Sequence, residues 1–179
     1  MIFKPVTINS FCFLVLLLVV SCKGNKEQSP QETFNTQALE QPLLNANKQA
    51  VKAENEQIEN FLRRYNWKMT ATGSGLRYNI YVHGTGEQAT AGKLAVLKYS
   101  LKLINGDEIY SSDKNGLKEF IIGRGGVESG LEEGILFMRV GDRAKFVIPS
   151  HLGFGLLGDQ DKVPPKSTLI YDIELVALK

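Results

Sequence analysis

Three stretches of this chain alternate apolar and polar side chains at every second residue, and that pattern bounds the fold more tightly than any other. Leu76, Tyr78, Ile80 and Val82 alternate with Arg77, Asn79, Tyr81 and His83. From Leu94 to Ile104 the residues Ala95, Leu97, Tyr99, Leu101 and Leu103 share one face, with Lys98, Ser100 and Lys102 on the other. Leu169, Tyr171, Ile173 and Leu175 repeat the alternation near the C-terminus. A period of two belongs to strands with one buried face. Shorter strands are expected at Glu108–Ser112, Phe120–Ile122 and Arg143–Ile148. Gly84-Thr85-Gly86 ends the first strand, Asn105-Gly106 supplies a tight turn, and Asp113 to Gly116 reads as a loop or bulge. One short helix is expected, with a capping-box spacing of Ser129 to Glu132, an apolar face of Leu131, Ile135 and Met138, and a stop at Gly141. Residues 70–179 therefore predict one α+β domain, an antiparallel sheet of five to six strands and a single short helix.

What precedes the domain divides into three parts. Residues 1–21 carry a lone charge, Lys4, and an apolar run from Phe11 to Val20. That run suits a secretory signal and is too short for a spanning helix, which needs roughly 20 residues. Residues 22–45 are rich in Gln, Asn, Glu and Thr, contain Pro30 and Pro42, and predict a flexible tether. Residues 46–69 predict an amphipathic helix with Val51, Ile58, Phe61, Leu62 and Tyr65 on one stripe. Such a helix packs on its own domain or stabilises the tether, or else it serves as a dimerisation arm.

Several chemistries are excluded by inventory. His83 and His151 have neither a cysteine nor a second histidine at ligand spacing, so no metal site is expected. Gly123-Arg124-Gly125 lacks the third glycine of a dinucleotide loop, and neither a phosphate loop nor a Gly-x-Ser-x-Gly elbow is present. Glu132 and Glu133 are helix neighbours and diverge, so they cannot act as an opposed acid/base pair. No cofactor is expected. Residues 71–179 carry 13 Lys plus Arg and 13 Asp plus Glu, a balance that gives no electrostatic footprint for nucleic acid.

Gly123-Arg124-Gly125-Gly126-Val127-Glu128-Ser129-Gly130-Leu131-Glu132-Glu133-Gly134 is followed by Val140-Gly141-Asp142-Arg143-Ala144-Lys145, Phe154-Gly155, Val163-Pro164-Pro165 and Tyr171-Asp172-Ile173-Glu174-Leu175. In that order and spacing the run resembles the FKBP-type peptidyl-prolyl cis-trans isomerases. The resemblance implies a sheet bent around the short helix and a substrate pocket between them. It implies pocket walls at Tyr99, Phe120, Val127 and Leu131, with Phe154 and Val163 on the flap and Tyr171 at a position usually phenylalanine. Four positions depart from the family's pattern. Ile109 and Tyr110 stand where it has an aromatic and a carboxylate, Phe154 lacks the flap hydroxyl, and Glu128 replaces an apolar residue whose backbone N–H the family uses. Lys118 falls near a position that is often aromatic. The apolar walls are thus kept while the side-chain hydrogen-bonding groups are weakened.

The implied reaction breaks no bond. Amide resonance sets a barrier of about 18–20 kcal/mol, and a dry pocket disfavours the polar planar amide relative to the twisted one. The expected substrates are proline-containing envelope or secreted proteins. A catalytically weak chaperone or binding module is the alternative. Ser21-Cys22 resembles a bacterial lipobox, which implies cleavage before Cys22 and its acylation, with Cys12 discarded in the leader. With no acidic residue directly after Cys22, the implied site is the outer membrane, facing the periplasm. The layout as a whole resembles FKBP-like lipoproteins associated with gliding motility, implying a motility or secretion machine as partner.

Overall fold

The computed structural model describes residues 36–179. The expected leader, the acylation site at Cys22 and the first part of the tether lie outside the described residues. Helix α1 spans Thr36–Arg64. It begins ten residues ahead of the expected start and ends five residues before the expected end, at Tyr65 and Asn66, which form a turn with φ at +53° on Asn66. Ala, Leu, Glu and Gln between residues 37 and 41 are good helix formers, and the chain remains helical through Pro42 despite the missing N–H.

Seven strands follow, one more than the alternation predicts. They are β1 (Thr70–Ala71), β2 (Arg77–Val82), β3 (Leu94–Leu103), β4 (Glu108–Ser111), β5 (Lys118–Ile121), β6 (Arg143–Ile148) and β7 (Leu169–Leu178). The extra one is the two-residue β1. Between β4 and β5 the expected loop is a helical turn, α2 (Ser112–Asn115), and between β5 and β6 lies α3 (Ser129–Ile135). The order across the sheet is β1-β2-β6-β7-β3-β4, with β5 also paired to β3 and every pairing antiparallel.

The alternation of β3, β6 and β7 sorts their side chains to two faces. Leu97, Leu101, Phe146, Ile148, Tyr171 and Leu175 are fully buried on the inner face, together with Leu131, Ile135 and Met138 from α3 and the turn after it. Two glycines let α3 approach β6 so closely. A Cβ on Gly130 would lie 2.5 Å from Ile148 Cγ2, and one on Gly134 would overlap the Phe146 ring, with Cζ 2.7 Å away.

Capping of α3 differs from expectation. Glu128 is the N-cap and makes no side-chain cap bond, because its carboxylate turns inward. Ser129 lies one residue inside the helix, and its hydroxyl donates to the Leu152 carbonyl at 3.2 Å. The Glu132 carboxylate accepts the Gly125 N–H at 2.9 Å and so braces the preceding loop instead of closing a capping box. The helix ends at Ile135, and tight turns rather than further α-helix lead on to Gly141.

On the outer face, Ile58, Phe61 and Leu62 of α1 pack on Val147 and Ile170. Val51 and Tyr65, expected on the same stripe, are 51% and 55% exposed. Polar contacts fix this packing. Glu54 accepts the Ser150 N–H at 2.7 Å, the Ser150 hydroxyl at 2.8 Å and the Thr168 hydroxyl at 2.7 Å. The guanidinium of the buried Arg77 donates to Glu59 at 2.9 Å and also to Asn55. The second half of α1 thus packs on its own domain.

Candidate functional site

The nine apolar and aromatic residues expected to line the pocket all join the inner core or pack against it. Phe120, Leu131, Val163 and Tyr171 are buried, and Tyr99, Ile109, Tyr110, Val127 and Phe154 are partly buried. Strand register explains the sheet's share. Tyr110 of β4 pairs with Leu101 of β3, which pairs with Tyr171 of β7, and that residue pairs with Phe146 of β6. One inward-facing row therefore crosses four strands. Tyr99 sits two residues from Leu101 on the same face, and its ring centroid is 6.1 Å from that of Tyr171 at an angle of 48°.

Glu128, the tenth expected residue, is buried beside these rings. Its Oε1 accepts the Tyr171 hydroxyl at 2.7 Å. Lys118 completes the cluster, with Nζ 3.2 Å from the Tyr171 hydroxyl and 3.4 Å from Glu128 Oε2. Burial pushes the Tyr171 phenol well above its ordinary value, and the Glu128 carboxylate pushes it further. Tyr99 is raised by the same two causes in the same order. The hydrogen-bonding groups expected to be lost are those at Tyr110 and Phe154; this polar cluster is made by other residues, Lys118, Glu128 and Tyr171. The backbone N–H of Glu128 donates to no acceptor among the described residues.

The loop after β6 carries Phe154 and Val163. Asp159 organises it, since Oδ1 accepts the N–H groups of Asp161 at 3.0 Å, Lys162 at 2.9 Å and Val163 at 2.7 Å. Its other oxygen accepts the Tyr110 hydroxyl at 2.5 Å, and Asp161 takes a second contact from the same hydroxyl at 3.2 Å. Tyr110, read from the sequence as a phenol in place of a pocket carboxylate, therefore ties β4 to this loop. Its phenol is held far above the ordinary range, first by the bond to Asp159 and then by burial. Burial alone would raise the Asp159 carboxyl, but the bonds from Tyr110 and the three amides outweigh it and hold the group below the usual carboxylate value.

Lys118, Asp159 and Asp161 were not among the expected site residues. A signal for Lys118 was present, because it lies two residues from Phe120 and so shares its face of a strand. A separate cleft of about 680 Å³ lies between α1 and the β1–β2 turn, bordered by Leu44, Val51, Ile58, Ala71, Pro149 and His151, and involves none of the expected residues.

Residues 85–176 match the family model for FKBP-type peptidyl-prolyl cis-trans isomerase. The chain is 33% identical to the FKBP-type peptidyl-prolyl cis-trans isomerase FkpA of Buchnera aphidicola, over 98% of this chain and 73% of that protein. It is 33% identical to a probable isomerase of the same name from Neisseria meningitidis, over 85% of this chain but 57% of the relative's length. Among solved structures, FkpA from Escherichia coli superposes with a TM-score of 0.63 at 30% identity, covering 86% of this chain and 74% of that one. The fold, the inward row of aromatics and these matches agree: the chain belongs to the FKBP-type peptidyl-prolyl cis-trans isomerase family.

Proposed function

We propose that the protein accelerates cis-trans rotation about Xaa-Pro bonds of envelope or secreted proteins. Its pocket is formed by Tyr99, Ile109, Tyr110, Phe120 and Val127, together with Glu128, Leu131, Phe154, Val163 and Tyr171. The observation that carries this reading is Glu128, whose carboxylate accepts the Tyr171 hydroxyl and whose backbone N–H is unengaged among the described residues. An apolar wall strips water from the amide and favours its less polar twisted form, while the N–H holds a substrate carbonyl. No side chain needs to act as a nucleophile. A protease-free assay on a Leu-Pro or Phe-Pro peptide tests the proposal. Tyr99→Ala and Phe154→Ala are each expected to lower kcat/KM about tenfold or more, equivalent to about 1.4 kcal/mol of transition-state stabilisation. A wild-type rate equal to that of buffer overturns it.

A second reading, a weakly catalytic chaperone or binding module, draws support from Leu156 and Leu157, which are 68% and 72% exposed on the loop that carries Phe154. Suppression of client aggregation without isomerisation would favour it.

We propose acylation at Cys22, with residues 22–45 as the link to the domain and the protein held on the outer membrane facing the periplasm, where one partner would be a motility or secretion assembly. The Ser21-Cys22 junction after an apolar run supports the anchor. More than one acyl chain, at about 0.8 kcal/mol per buried methylene, suffices for stable attachment. Incorporation of a labelled fatty acid that is abolished by Cys22→Ser tests it.

A further inference from the structure

Lys118 opens β5 on the inner side of the sheet. Its register partner is the fully buried Leu97, and Phe120, two residues on, is buried as well. The alternation of a strand therefore directs the lysine inward. There its Nζ lies 5.5 Å from the Tyr99 ring centroid and 5.7 Å from that of Tyr171, a placement over aromatic faces that stabilises a cation. The Glu128 side chain is 2% exposed and lies sealed beneath, whereas the Lys118 side chain keeps 24% exposure. The anion is thus covered and the cation faces out.

An ammonium has three donors. Two of them meet Tyr171 and Glu128. The third meets no acceptor among the described residues, on a side chain that keeps part of its surface exposed. Other charges near the groove are engaged elsewhere. Asp159 and Asp161 accept the Tyr110 hydroxyl, and the Lys162 ammonium lies 5.2 Å from the Tyr110 ring centroid.

We infer that Lys118 is a specificity-determining residue of this groove, its ammonium contacting the carboxylate of an acidic residue next to the substrate proline. This inference rests on the isomerase reading above. A carboxylate gains the third donor, whereas a substrate lysine or arginine meets like charge. Attraction to one and repulsion of the other each contribute up to about fivefold for a partly exposed pair, so a Glu-Pro peptide should exceed a Lys-Pro peptide by about tenfold. A competing account is that an inward lysine on an edge strand only guards against edge-to-edge pairing. That role sets no substrate preference.

The test measures kcat/KM for Glu-Pro, Leu-Pro and Lys-Pro peptides with the wild type, Lys118→Met and Lys118→Arg, at low salt and at about 0.5 M salt, where screening is strong. The expected wild-type order is Glu-Pro, then Leu-Pro, then Lys-Pro, with the spread reduced by salt. Lys118→Met should bring the Glu-Pro to Lys-Pro ratio near one whatever its absolute rates, and Lys118→Arg should retain it. A wild-type ratio near one, or an unchanged ratio in Lys118→Met, overturns the inference. If no peptide is turned over, the isomerase reading fails by itself, and calorimetric titration of the same peptides decides the preference. Tighter binding of Glu-Pro that disappears in Lys118→Met supports it, and equal affinities overturn it.

Discussion

The Tyr110 hydroxyl donates to Asp159 at 2.5 Å across 49 residues of sequence, so a single bond couples strand β4 to the loop bearing Phe154 and Val163. The other oxygen of Asp159 is already saturated by loop amides. One carboxylate thereby fixes both the shape of the loop and its docking.

Tyr110→Phe removes the docking bond and leaves the amide bonds intact. A hydrogen bond to a charged acceptor contributes about 1.5–3 kcal/mol, with the lower end applying to a partly exposed pair such as this one. The melting temperature should fall slightly, and the amides of residues 159–163 should exchange faster with deuterium. Unchanged exchange in that segment would show that the loop docks by other means.

Acid should loosen the same contact. Because the folded-state Asp159 carboxyl is depressed, its contribution is present above the unfolded value of about 3.9 and is lost as pH falls through the lower folded value. Urea denaturation at neutral pH and near pH 3 checks this sign. Asp159→Ala should cost stability at neutral pH and less in acid.

Alkali acts on the phenols in the opposite direction. Burial, then the bond to Asp172, pushes the Tyr81 phenol up to about 12. Its contribution is complete below the unfolded value of about 10 and is lost as pH rises through about 12. Ultraviolet titration of the native protein should show late-ionising tyrosines that include Tyr81, and Tyr81→Phe should remove one of them.

Close contact between α3 and β6 depends on the missing side chain at Gly134. Gly134→Ala drives a methyl into the Phe146 ring and should destabilise the domain by about 1–3 kcal/mol. Adding Phe146→Leu should recover part of the loss in urea denaturation. Full additivity of the two changes would contradict the contact.

Seating of α1 on the sheet turns on Glu54. Glu54→Ala leaves the Ser150 and Thr168 donors without their acceptor and should cost about 1–3 kcal/mol. Faster proteolysis within α1, with the sheet still protected, is the expected readout.

Alternation alone located the long strands and the inner face, because burial of Leu97, Leu101 and Tyr171 follows directly from a period of two. The ends of α1 were not legible. Gln- and Asn-rich sequence lacks an apolar stripe, yet it is compatible with a helix continued upward from a packed segment. The site was readable as a set of walls but not as a network. Glu128 stands in place of an apolar residue, Lys118 near a position that is often aromatic, and Tyr171 at a position usually phenylalanine, and singly none of them announces a polar cluster. Only the register that seats Lys118 opposite Leu97 shows that the three replacements meet. Asp159 was invisible for a related reason, since its partner Tyr110 is remote in sequence and comes into reach only after the loop folds.

The borders of the sheet bear on how an unfolded chain is held. One border ends in the two-residue β1, and the other is divided between β4 and β5, which occupy the same side of β3 and span four residues each. Each border thus offers only about four residues, 79–82 of β2 beyond β1 on one side and β4 or β5 on the other, a short rail for a client docking as an additional strand, the mode in which main-chain ladders make capture tenacious. On the isomerase reading proposed above, retention then depends on side chains gripping a short segment around the proline, and such a hold dissolves once that segment turns.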